Sequence, residues 1–265
     1  MRGFPLLRPR HWGWLAVFRR NLLVWRKLLW PSLIGNIAEP LFVLVAFGYG
    51  VGGLIGEVNY NGTAIPYLLF LASGAICAST MTAASFEGLF SAYSRMGPQR
   101  TWDGILNAPI RLTDIVLAES IWAGFKSWFT ATAILVVMLG LGISSSPHLL
   151  LVWPLMLLIG LVFASLALIF NALAKGYDFF TYYITLFLTP MTFLSGVYFP
   201  RDQLPPLLYG LSEWLPLTAA VSLVRPLFMG QWPLEPVWNL GILVAYGVVG
   251  FYLALHLTQR RFRIR

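Results

Sequence analysis

Six long apolar stretches divide this chain, and they leave it few ways to fold. They cover residues 31–55, 65–86, 115–141, 149–174, 179–197 and 237–257. A helix needs roughly 20 mostly apolar residues to cross a bilayer, where no water satisfies its backbone N–H and C=O groups, so each stretch reads as a spanning helix. Composition points the same way: 58% of the 265 residues are hydrophobic and 11% charged, against about a quarter charged in soluble domains. The fold class expected is an all-α membrane protein of six transmembrane helices.

A net charge of +8 with 15% aromatic residues would also suit a nucleic-acid binder, in which cations neutralise phosphate and rings stack on bases. The placement of the cations excludes that reading. Seven Lys and Arg lie in residues 1–30, three in 87–114, one at Lys175 and four in the last six residues, so 15 of the 18 fall in four segments separated by segments almost free of them. This alternation follows the positive-inside rule and puts both termini in the cytoplasm, with a multi-pass chain in a bacterial inner membrane. Cys77 is the only cysteine and sits in an apolar run, so no intramolecular disulfide or thiolate metal cluster can form. His11, His148 and His256 share no metal-ligand spacing.

Residues 10–30 are too charged to span and too apolar for a free tail. At about 100° per residue Trp14, Leu15, Phe18, Leu22, Trp25 and Leu29 share one face, and Arg19, Arg20, Arg26 and Lys27 another. The expectation is an amphipathic helix in the cytoplasmic interface, with its rings at head-group depth. The loop 56–64 is short and carries no Lys or Arg, as an outer loop should. Glycines 48 and 52 in the first stretch would let another helix approach closely.

The stretch 87–114 is the one long inner loop of mixed charge. Pro98 and Pro109 bracket an apparent helical turn or two that presents Trp102, Ile105 and Leu106 toward a cytoplasmic partner, or else is solvated. Inside the spans, charge is expensive and therefore points to function. Glu39, Glu119 and Lys126 are the candidates there, and Glu39 and Lys126 stand at comparable depth, either as an ion pair or each reaching for the inner interface. On the fifth stretch Phe179, Tyr183, Phe187 and Phe193 are candidates to line a pathway or to pack against lipid, and Pro190 predicts a kink. Residues 198–235 are too apolar for an exposed loop and too interrupted by proline for a clean span, which suits short re-entrant helices on the outer side.

An active transporter needs an energy source, and no GxxxxGK(S/T) phosphate loop is present; GFKS at 124–127 lacks the spacing. No GxSxG elbow occurs either. The chain reads as a transport subunit and not an enzyme, and ATP with Mg, if used, belongs to another polypeptide. An ion-coupled secondary transporter is the alternative; it would call for inverted repeats with paired broken helices, and only the fifth-to-sixth connection is broken.

The string FLSGVYFPRDQLPPLLYGLSEWLPLTAAVSLVRPLFMG (193–230) resembles the C-terminal signature of ABC-2 type exporter permeases. NIAEPLFVLVAFGYGVG (36–52) and the stretch 86–127 are similar to the nodulation protein J subfamily, whose members export lipochitooligosaccharides. The resemblance covers nearly the whole chain. It implies a permease dimer, a second copy of this chain, working with two copies of an ATPase subunit and moving an amphiphile such as a glycolipid, a lipid-linked saccharide or a hydrophobic small molecule. It also implies that 97–113 is a coupling segment docking on the ATPase through Gly97, Arg100, Trp102, Asp103, Ile105, Leu106 and Pro109. Residues 10–30 become a connecting helix, and 199–232 outer re-entrant helices that gate release.

Overall fold

The computed structural model describes residues 12–264, leaving aside the side chains of Ser32, Leu33, Asn36, Ile37, Glu39 and Ile264. In helix α1, Gly13–Arg26, Val17, Asn21 and Trp25 recur every fourth residue on the buried face. Helix α2, Leu29–Val43, carries Pro40 inside it and continues without a loop through π-helical Leu44–Val51 and a last turn, Gly52–Ile55.

The loop that follows is not plain. It forms an antiparallel hairpin of β1, Glu57–Tyr60, and β2, Thr63–Pro66. Asn61 and Gly62 form its two-residue turn with φ of 49° and 81°, a left-handed pair that Asn–Gly adopts at little cost. The described chain is otherwise helical.

Helix α3 runs over Tyr67–Met96, so the second span extends ten residues past the expected end at Phe86, through a π-helical turn at Glu87–Ser91. Short α4, Thr101–Leu106, follows, then α5, Leu112–Gly140, and α6, Leu149–Leu173. Helix α7, Phe179–Leu194, contains a π-helical turn at Ile184–Leu188 just before Pro190, where a widened turn accommodates the missing N–H. Two short helices, α8, Pro206–Ser212, and α9, Pro216–Phe228, meet at a bend of 82°, and α10, Pro236–Ile264, completes the fold.

Four of these helices, α3, α5, α6 and α10, are long and apolar enough to cross a membrane, and α8 with α9 make a fifth if the bent pair is one broken span. The first apolar stretch is helical without interruption from Leu29 to Ile55, through α2 and its continuation, while the fifth yields the shorter helix Phe179–Leu194. Sixteen residues at about 1.5 Å each cover roughly 24 Å of a hydrocarbon core about 30 Å thick.

Helix α6 is the centre of the bundle, with α3, α5 and α10 packed around it. Where α5 crosses it, a Cβ on Gly124 would come within 2.7 Å of Leu161, and one on Gly160 would collide with Ser127, so glycine permits the close approach. Gly48 serves the same purpose between α2 and α3, where a Cβ would strike Leu68. At one end of the bundle the basic segments gather. There Arg261 of α10 donates to the last carbonyls of α6, at Asn171 (2.9 Å) and Ala172 (3.2 Å), as a cation at a helix C-terminus should. The hairpin lies at the opposite end with α8 and α9, where Ser144 donates to Phe228 O at 2.6 Å.

Candidate functional site

On α5, Glu119, Trp122 and Lys126 stand at i, i+3 and i+7 and so share a face. On α3, Glu87 and Arg95 are eight residues apart, which at 3.6 residues per turn leaves them about 80° round from one another. The π-helical turn at Glu87–Ser91 absorbs an extra residue, removing about 100° of rotation and bringing the two side chains to within roughly 20°. Both then face α5. The turn is held open from α6: buried Asn171 donates Nδ2 to Gly88 O (2.8 Å) and Leu89 O (3.3 Å), carbonyls that a regular helix would have used itself.

The result is a buried chain of charges. Arg95 forks onto Glu119, Nε to Oε1 at 2.9 Å and Nη2 to Oε2 at 2.5 Å, and Nη2 also reaches Glu87 Oε1 at 3.1 Å. Lys126 Nζ donates to Glu87 Oε2 at 2.7 Å. Two indoles complete the set, Trp122 Nε1 to Glu87 Oε1 (2.9 Å) and Trp102 Nε1 to Glu119 Oε1 (3.2 Å). Glu87 and Glu119 are only 4% and 1% exposed, so each carboxylate depends on these donors. Two acids balance two bases. Among the described residues no three His, Cys, Asp or Glu side chains come together as a metal site.

Helix α4 is tied to this cluster. Trp102 points inward, 1% exposed, with its N–H on Glu119 and its ring stacked on Phe262 of α10 at 6.1 Å. The expectation that Trp102 faces a partner is therefore corrected: its large ring is needed to fill the space between α4 and the spans. Ile105 and Leu106 are half-buried against the same core, and Asp103 is half-buried. The exposed positions of the segment are Pro98, Gln99, Arg100, Gly104, Asn107, Ala108 and Pro109. Gly97 ends α3, donating its N–H to Tyr93 O at 2.8 Å, and Arg100 takes a left-handed φ of 48° to turn the chain into α4.

Helix α1 flanks the cluster from the other side. Its Phe18 packs edge-on against Trp122 (5.7 Å) and Phe125 (5.5 Å), and Trp25 against Trp122 (5.9 Å) and Phe129 (5.2 Å). Two rings of the expected aromatic face, Phe18 and Trp25, thus pack on α5. Gly13 makes the docking possible, since a Cβ there would sit 2.7 Å from Asp114 Oδ2. Burial, with Arg95 nearby, lowers the pKa of Arg20 from its ordinary value, and Glu119 partly offsets this.

Two of the three intramembrane charge candidates, Glu119 and Lys126, thus belong to one cluster, linked through Arg95 and Glu87. Glu39 and its pairing with Lys126 lie outside the described residues. Of the aromatic candidates, Tyr183, Phe187 and Phe179 gather around Phe170 of α6, at 4.5, 5.2 and 6.3 Å, while Phe193 stands apart against Tyr198 at 5.7 Å. Glu87, Arg95 and Trp122 were missed in the sequence; the i, i+3, i+7 spacing on α5 was the available signal for Trp122.

The chain is similar to Nodulation protein J of Sinorhizobium fredii, 42% identical over 260 residues, 98% of each chain, and to Nodulation protein J of Rhizobium meliloti, 41% identical over 250 residues, 94% of each. Similarity extends to the Inner membrane transport permease YadH of Escherichia coli, 27% identical over 241 residues, 91% of this chain and 90% of that one. Residues 13–229 match the ABC-2 type transporter family model. A membrane-embedded transport subunit rather than an enzyme, the chain belongs to the ABC-2 type transporter family.

Proposed function

We propose that this chain is the permease subunit of an ATP-driven exporter. Two copies pair with each other and with two copies of a separate ATPase, which binds ATP and Mg. The cargo is an amphiphile: a glycolipid, a lipid-linked saccharide or a hydrophobic small molecule. In this reading the chain crosses a bacterial inner membrane six times, with α2 and its continuation to Ile55 as the first crossing and α7 as a short fifth, α8 and α9 re-entrant on the outer side, and both termini with α4 in the cytoplasm. The four clusters of Lys and Arg support that orientation.

The observation that carries the proposal is the bond between Trp102 of α4 and Glu119 of α5. Glu119 is itself held to α3 by Arg95, so a displacement of α4 reaches two spans through one buried cluster. The docking surface is the exposed side of the segment, Arg100, Gly104, Asn107, Ala108 and Pro109, and Trp102 acts behind it. The charge balance and full pairing of the cluster favour such a lever over the proton relay of an ion-coupled carrier.

The test is co-purification of the tagged chain with a P-loop ATPase, followed by Asn107→Arg and Ala108→Asp. Both positions are exposed, so the thermal midpoint should not move, while recovery of the ATPase and its turnover should fall by about tenfold, the effect of losing a modest interface contact. Equal recovery and turnover with both variants would sink the docking role. Transport that persists without any ATPase and collapses with the proton gradient would establish the ion-coupled carrier instead.

A further inference from the structure

At the hairpin end, remote from the charge cluster, a cavity of about 570 Å³ lies between the β-hairpin, the segment after α7, α8, one face of α9 and the start of α10. The α9 face is formed by Thr218, Val221, Ser222 and Arg225, at helical spacing. Three buried polar groups on its wall have unused hydrogen-bonding capacity. The hydroxyls of Ser195 and Thr218, 1% and 2% exposed, have no hydrogen-bond partner among the described residues. Arg225, 2% exposed, spends Nε on Ser73 Oγ (3.0 Å) and Nη2 on Phe70 O (3.2 Å) and Gly196 O (2.7 Å), with its guanidinium 3.6 Å from the centre of the Phe70 ring. Its Nη1 has no bond, and no carboxylate pairs with it, among the described residues.

A buried cation without a counter-ion and two donor hydroxyls on one wall call for an anionic oxygen group. The rim has the opposite character. Asp202, Glu213 and Glu235 line the same cavity, are exposed, and form no ion pair among the described residues. Three carboxylates against Arg201 and Arg225 would repel a ligand of net negative charge. They suit one that carries its anion inward and a cation outward, with Trp238 at the rim to receive an ammonium on its ring face. At the rim Leu234, which lines the cavity, is 80% exposed, an apolar contact placed to receive an acyl chain.

We infer that this cavity binds the zwitterionic phosphate–amine head group of an amphiphile, with phosphate oxygens on Arg225, Ser195 and Thr218 and the ammonium among Asp202, Glu213 and Glu235. The binding stands on the cavity alone; its place on the exit side, where cargo or an outer-leaflet lipid is held, rests on the export reading.

The experiment is native mass spectrometry of the full chain in neutral detergent, titrated with short-chain phosphatidylethanolamine, short-chain phosphatidylglycerol, soluble O-phosphorylethanolamine and an alkyl glucoside. Phosphatidylethanolamine should bind saturably and at least about tenfold more tightly than the other three, the scale of one charge-assisted hydrogen bond. Comparable binding of O-phosphorylethanolamine would locate the whole affinity in the head group and overturn the acyl contact as part of the site. Thr218→Val and Ser195→Ala should each weaken binding by about tenfold without lowering the thermal midpoint, because neither hydroxyl supports the fold. A role for these hydroxyls in packing alone would shift the midpoint and leave binding unchanged. Glu235→Gln with Glu213→Gln, both at exposed positions, should erase the preference for phosphatidylethanolamine over phosphatidylglycerol. Wild-type binding by both hydroxyl variants, or equal binding of the glucoside, overturns the inference. These measurements need no ATPase, so their failure is separable from failure of the Asn107→Arg test.

Discussion

Arg95 holds the site together, because both buried carboxylates depend on its guanidinium. Arg95→Met should cost about 3–5 kcal/mol, chiefly from leaving Glu119 buried without its cation. A second change, Glu119→Gln, should recover part of the loss. Thermal unfolding of the two single variants and the double variant measures that coupling, and additive effects would deny it. Lys126→Met should cost less, since its side chain is 22% exposed against 13% for Arg95 and Trp122 still donates to Glu87. Glu119 and Lys126 were legible in the sequence because a charge inside an apolar stretch stands out. Glu87 and Arg95 were not, because they follow the apolar stretch, where charge is ordinary, and because an eight-residue spacing reads as two different faces until one turn is widened. Trp102 was legible as important, and its direction was not: a short helix between prolines gives no periodicity long enough to say which side is buried.

Among the elements, the π-helical turn of α3 does the most with the least. It depends on Asn171, so Asn171→Leu should strip the carbonyls of Gly88 and Leu89 of their donor, at a cost of about 1–3 kcal/mol. It should also let the turn relax to α-helix, swinging Arg95 away from Glu87 by about 100°. The loss then exceeds that of a hydrogen bond alone, and adding Arg95→Met to Asn171→Leu should cost less than it does in the wild type. Full additivity in thermal unfolding would rule out the rotation. The existence and order of the long helices could be read from hydropathy, since lipid leaves the backbone no alternative. Their ends could not: α3 outruns its apolar stretch because Tyr93 and Met96 are buried by protein neighbours. The hairpin did announce itself, as Asn61–Gly62 between Tyr60 and Thr63, but so short a pair of strands is outweighed by the length of helix on either side. Helix α1 was read as amphipathic from its spacing, yet spacing does not say whether an aromatic face meets lipid or α5.

For the molecule as a whole, the bundle has two unlike ends, and their placement across a membrane is open to direct measurement. The native Cys77 is fully buried and should stay silent toward a membrane-impermeant maleimide. A cysteine at Asn61, on the hairpin tip, should then label in intact cells, and one at Arg100 only after permeabilisation. The reverse pattern would invert the orientation proposed here. The stack of Trp102 on Phe262 adds a constraint of timing. The surface that α4 offers is seated on a ring encoded far downstream, so during synthesis α4 is left without its floor until α10 has been made and inserted. On the export reading, a nascent or truncated chain lacking that helix would present the ATPase with an α4 that has no floor.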